Sequence, residues 1–140
     1  MEVNSIILES KSRFGFNETL EKIRELAAMR EWKILAEHDM QKTLKNNGIE
    51  VQEAVVIELC KPEYAGALMQ EDPVKFVSAL LPCRFGVYCK ADGNSYLSRL
   101  NTGMLSMFMA GTIGSVMGKA GSEMELIIKE LIEADPLPDF

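Results

Sequence analysis

The residues of this 140-residue chain best suited to covalent or metal chemistry are three cysteines and one titratable run. The cysteines are Cys60, Cys83 and Cys89; the run is Glu37-His38-Asp39. Thiolate is the nucleophilic and metal-binding form of cysteine; a nearby cation favours it and a nearby carboxylate opposes it. Cys60 is followed by Lys61, with Glu58 two residues before it, so it is the candidate reactive thiol. A reading as a thiol-based redox or metal-dependent enzyme rests on that residue. Glu37 and Asp39 share one face of a strand, and His38, the only histidine, takes the other. Two carboxylates so placed suit a divalent cation or a general acid and base. The plain alternative is a solvated strand end.

The elements that carry these groups limit what they can do. Val51–Cys60 alternates, with Val55, Ile57 and Leu59 on one face and Val56, Glu58 and Cys60 on the other. Cys83–Lys90 alternates likewise. The pairing that buries most apolar surface puts Val55, Ile57 and Leu59 with Cys83, Phe85, Val87 and Cys89, and turns Cys60 outward beside Glu58. Cys83 and Cys89 then read as packed core thiols, about 20 Å apart along a strand, so the three thiols cannot share one ion. His38 is expected about 30 Å from Cys60, which leaves no zinc site of His38, Cys60 and Cys83 within one subunit. No metal ligands are assigned, and whether a cofactor is used stays open.

Other signatures are missing. The sequence holds no GxSxG, CxxC or HExxH, and Gly111-Thr112-Ile113-Gly114 with Gly118-Lys119 lacks phosphate-loop spacing. Net charge of −6 and a pI of about 4.9 argue against nucleic-acid binding. Glu123, Glu125, Glu130, Glu133, Asp135 and Asp139 read as the wet face of a last helix and a tail. Three cysteines make no disulfide framework, and MEVNSIILES lacks the features of a signal peptide, so a cytoplasmic location is expected. No linker or repeat divides the chain, which reads as one domain over 1–140.

Taken in order, Val3–Ser10 reads as a strand and Lys11–Gly15 as a turn. A helix capped by Asn17 runs to about Arg30, with Leu20, Ile23 and Ala27 inward. Trp32–Asp39 is a strand, and Met40–Asn47 a short helical turn closed by Gly48. After the strand Val51–Cys60, Pro62 opens a helix that Asp72-Pro73 ends, and Val74–Leu80 is a second short helical piece. Cys83–Lys90 and Ser95–Asn101 flank a hairpin at Asp92-Gly93. Glu123–Ala134 is an amphipathic helix with Met124, Leu126, Ile127 and Leu131 inward, stopped by Pro136 and Pro138. The fold class is α+β: an antiparallel sheet of about five strands with helices packed on one face.

Glu37 and Asp39, Cys60-Lys61-Pro62, Leu68-Met69-Gln70 with Asp72-Pro73, and Leu81-Pro82-Cys83-Arg84 together resemble the domain-of-unknown-function 302 family. The resemblance covers roughly residues 10–101 and leaves 102–140 as a C-terminal helical extension. It implies a small fold like that of the TATA-binding protein, in the order strand, helix, four strands, helix, and often a dimer. It implies no established chemistry.

The charge-free run from Leu100 to Gly118 is 19 residues long, but polar residues and four glycines interrupt it. Its apolar heart, Met104–Met117, would span about 21 Å as a helix, short of the roughly 30 Å of a bilayer core, so no membrane span is expected. Gly111, Gly114 and Gly118 point to close backbone approach. Met104, Met107, Met109 and Met117 suit a core, a subunit seam or the wall of an apolar site. The preferred function is a homodimeric small-molecule-binding module with Glu37, Asp39, Lys61 and Arg84 at the ligand. The alternatives are the Cys60 enzyme and a purely structural protein; whether the chain is a catalyst stays open.

Overall fold

The computed structural model of the chain describes residues 6–132. Five strands form one sheet in the order β1-β5-β4-β3-β2: β1 Ile7–Lys11, β2 Lys33–Asp39, β3 Ala54–Cys60, β4 Cys83–Cys89 and β5 Ser95–Leu100. All neighbours are antiparallel. β2 to β5 form a consecutive meander, and β1 adds beside β5 as the far edge. Val3, Ser5 and the rest of the expected first strand before residue 6 lie outside the described residues. That strand continues through Lys11, which the sequence reading placed in a turn.

Alternation decides which face is covered. Val55, Ile57 and Leu59 on β3, Phe85 and Val87 on β4, and Leu97 on β5 are buried. Against them pack Leu20, Ile23 and Ala27 of helix α1 (Phe16–Met29) and Ala120, Met124, Ile127 and Ile128 of helix α5 (Gly111–Lys129). The opposite sheet face, with Val56, Glu58, Gly86, Tyr88, Tyr96 and Ser98, is only half-buried. This is the two-layer α+β arrangement expected from the sequence.

Several boundaries differ from the sequence reading. Gly15, not Asn17, stands at the N-cap of α1, with no side-chain cap; the buried Thr19 hydroxyl donates to the Gly15 carbonyl at 2.7 Å. α2 (Met40–Lys45) is capped by Asp39, whose Oδ1 accepts from the Lys42 amide at 3.0 Å. α3 (Pro62–Met69) begins at its proline, and a 3-10 helix follows over Asp72–Leu80.

The largest correction lies after Asn101. The last helix starts at Gly111 rather than Glu123, and a separate short helix α4 (Thr102–Ser106) precedes it. Two glycines permit this. A Cβ on Gly114 would stand 2.0 Å from the Met109 carbonyl oxygen, and one on Gly121 would stand 2.9 Å from Thr102 Cβ, so α5 accepts the α4 hairpin only where side chains are missing. Gly121 was not among the glycines singled out in the sequence, and Gly111 and Gly118 make no such close approach. Leu126, expected inward, is 46% exposed, and Ile128 is buried in the main core instead. The helix ends at Lys129, before the expected end at Ala134, while the expected stops at Pro136 and Pro138 lie outside the described residues.

A second apolar cluster lies beside the main core: Leu68 of α3, Val77 of the 3-10 helix, and Ile113, Val116 and Met117 of α5. No helix among the described residues is long and apolar enough to cross a membrane.

Candidate functional site

The two apolar clusters meet along the start of β4, and two cavities open there. One, about 320 Å³, is lined by Val56, Leu80, Pro82, Arg84, Leu100 and Met117, among others. The other, about 330 Å³, has an almost wholly apolar wall that includes Trp32, Leu35, Leu59, Leu68, Cys60 and Cys83. Pro82 and Cys83 border both. Each is at the small end of the size range of ligand sites.

Local sequence explains each wall. The pairing of β2 with β3 slips between Ile34 and Ala36. A bulge of this kind re-aims side chains, and Leu35, which it frees from the ladder, lines the second cavity while staying 57% exposed. Leu59 pairs with Cys83, so Cys60 leaves the β3–β4 ladder where Cys83 enters it. The second cavity wraps round that ladder end, which brings both thiols to one wall although alternation sets them on opposite sheet faces. Gly86 leaves the floor of the first cavity low, with Ser98 opposite it on β5.

A carboxylate at the border ties the parts together. Glu123 Oε1 accepts from Trp32 Nε1 at 3.0 Å and from Lys61 Nζ at 2.5 Å, and Oε2 accepts from the Tyr64 hydroxyl at 2.7 Å. Burial pushes this carboxyl up, but the bonds from Lys61, Tyr64 and Trp32 more than offset it and the group stays below its ordinary range. The same carboxylate pushes the Tyr64 hydroxyl up to about 12. Glu123 was expected on the wet face of the last helix; its side chain is 16% exposed. On the other side of α5, Glu125 takes a bidentate pair from Arg99 at 2.8 and 2.9 Å, and Arg99 is buried on β5 with Ser10 as a further partner at 2.8 Å.

The residues singled out in the sequence are scattered by this geometry. Glu37 faces α1, where Arg24 donates to both its oxygens at 2.6 and 2.9 Å and holds its carboxyl low. Asp39 caps α2. Neither lines a cavity described above. Lys61 lines the second cavity, but its ammonium lies on Glu123 and over the Tyr64 ring at 5.5 Å, not on Cys60. Arg84 lines the first cavity; its Nε is 3.4 Å from Glu58, and no other partner is found among the described residues. His38 pairs with Glu58 at 2.5 Å on the open sheet face, and that bond keeps the Glu58 carboxyl low. His38 stands opposite Val56, four residues from Cys60, so the two are roughly 13 Å apart along the sheet rather than the 30 Å expected.

The three cysteines are free thiols. Burial, with Cys60 close by, pushes the Cys83 thiol up to about 11. Cys89 lies at the far end of β4, raised by burial and by Glu53, to which its thiol donates at 3.8 Å. No group of three or more His, Cys, Asp or Glu among the described residues is placed to hold a metal ion.

The sheet with its helices on one face defines a small α+β protein whose distinctive part is the pair of cavities at the start of β4. The model of the domain of unknown function DUF302 matches residues 8–131, and the chain belongs to that family. The match runs through α4 and all of α5, past the Asn101 limit of the sequence resemblance. A similar solved structure is that of an uncharacterized conserved DUF302 protein from Bacillus stearothermophilus, with a TM-score of 0.77 and 19% identity, covering 89% of this chain and 96% of that one. At that identity the likeness speaks for the fold. No curated protein matches the chain.

The sequence reading missed Trp32, Leu35, Tyr64, Met69 and Glu123 as parts of the site. One signal was present: Glu123 lies three residues after Ala120 and four before Ile127, so helical spacing sets it beside the apolar stripe and not opposite it.

Proposed function

We propose that the protein is a homodimeric small-molecule-binding module whose first cavity takes an amphipathic anion. The observation that carries this reading is Arg84 beside an apolar hollow of about 320 Å³, its only partner among the described residues being one Glu58 contact at 3.4 Å. A guanidinium recognises a carboxylate bidentately, and the hollow offers Leu80, Pro82, Leu100, Met117 and Met124 to a hydrocarbon body. Met117 and Met124 are adaptable linings of the kind that suit an apolar ligand. Met107 and Phe108, each 81% exposed at the bend between α4 and α5, support the dimer, since an apolar projection of that kind fits a partner surface.

Calorimetric titration with octanoate and with octanol tests the ligand class. Octanoate is expected to bind and octanol to bind more weakly. Arg84→Gln is expected to weaken octanoate by about 10- to 100-fold, the effect of one charge-assisted hydrogen bond. Equal binding of acid and alcohol sinks the assignment. Sedimentation of the wild type against Phe108→Glu tests the dimer; a monomer in both removes that half.

The thiol-enzyme reading has less behind it. Lys61, the cation meant to activate Cys60, is drawn onto Glu123 at 2.5 Å.

A further inference from the structure

Sulfur is concentrated where oxygen and nitrogen donors are scarce. Cys60, Cys83 and Met69 line the same cavity, and the rest of its wall is almost entirely hydrocarbon and aromatic. The three come from one compact stretch of chain. Cys60 ends β3, α3 runs from Pro62 to Met69, and Cys83 opens β4 opposite Leu59. Both cysteines are free. No carboxylate or imidazole lines this cavity.

We propose that this second cavity binds a soft monovalent d10 cation, monovalent copper being the test case, through the thiolates of Cys60 and Cys83 with the Met69 thioether as third donor. Thiolate and thioether sulfur select such ions, whereas calcium and magnesium need oxygen ligands and structural zinc needs four nitrogen or sulfur donors. The wall supplies three sulfurs; its other side-chain polar groups include the Ser78 hydroxyl and the Lys61 ammonium and Tyr64 hydroxyl, the last two held by Glu123. Binding is an exchange without redox: two S–H bonds break, two metal–sulfur bonds form, and two protons leave to solvent. This proposal does not rest on Arg84, although Pro82 and Cys83 border the anion cavity as well.

The reduced protein, titrated anaerobically with monovalent copper against a chromophoric chelator, tests this. Uptake of one equivalent is expected, with quenching of Trp32, which is the sole tryptophan and lies in the same wall. Cys89→Ser is expected to bind like the wild type, Cys60→Ser and Cys83→Ser to lose 100-fold or more, and Met69→Leu about tenfold. A second measurement uses the unaltered chain, so it stands even where a variant does not fold. Bound copper is expected to protect Cys60 and Cys83 from alkylation and leave Cys89 open. Protection of all three thiols or of none, copper uptake without tryptophan quenching, or equal losses in Cys89→Ser and Cys60→Ser would overturn the proposal.

Discussion

The two apolar clusters of this protein are built from the same residue types and end differently. Between sheet, α1 and α5, side chains close on one another: Ile23, Ile57, Leu59, Phe85, Val87 and Leu97 have no exposed surface. Around α3, the 3-10 helix, α4 and the start of α5 the chain is equally apolar, yet Phe76 is 74% exposed and Phe108 81%. A sheet presents a broad face with a fixed period that two long helices can cover. Four short helical pieces present no common face, so they leave hollows between them and apolar groups outside. The closed cluster holds the fold; the open one is where a ligand has room.

Phe85→Ala separates the two most sharply. It should cost about 3–5 kcal/mol in chemical denaturation, because the closed layer cannot collapse around the gap. A loss below 1 kcal/mol would mean that the main core is no tighter than its neighbour.

Glu123 stands on the border, and Glu123→Gln should cost about 1–3 kcal/mol at neutral pH, since one amide cannot accept from Trp32, Lys61 and Tyr64 together. Its carboxyl is lowered in the folded state, so the wild type gains stability from it above the unfolded carboxyl range and loses that gain as pH falls through the folded value. The stability difference between wild type and variant should therefore shrink on acidification below about pH 4. A difference independent of pH would show that the contact works through packing alone.

Phe76→Ala marks the small end: a change within about 0.5 kcal/mol is expected for so exposed a side chain. A loss approaching that of Phe85→Ala would erase the contrast.

The sheet was readable because alternation is local. Val55-Val56-Ile57-Glu58-Leu59 states its buried face in its own order, and Asp92-Gly93 states its turn. The site was not, because it depends on what lies across from what. Leu35 reaches its cavity only through a slip in pairing, Cys60 only because the ladder ends there, and Glu123 only because α5 begins twelve residues earlier than its charge pattern implied. The start of α5 was hidden by glycines, which weaken helix propensity but here admit a neighbour. Glu37 and Asp39 show the converse. Their spacing placed them on one face correctly, but Arg24 and the Lys42 amide, which occupy them, come from helices whose approach no strand pattern specifies.

The place of β1 carries a consequence for synthesis. Ile7 pairs with Leu100 and Ser12 bridges to Ile132, so the segment made early has nothing to join until nearly the whole chain has left the ribosome. The meander from β2 to β5 can zip up hairpin by hairpin as it emerges, but β5 then waits with its outer hydrogen-bonding groups bare. Until the delayed strand swings back across it, that rim is the nascent molecule's point of greatest exposure to another copy of itself.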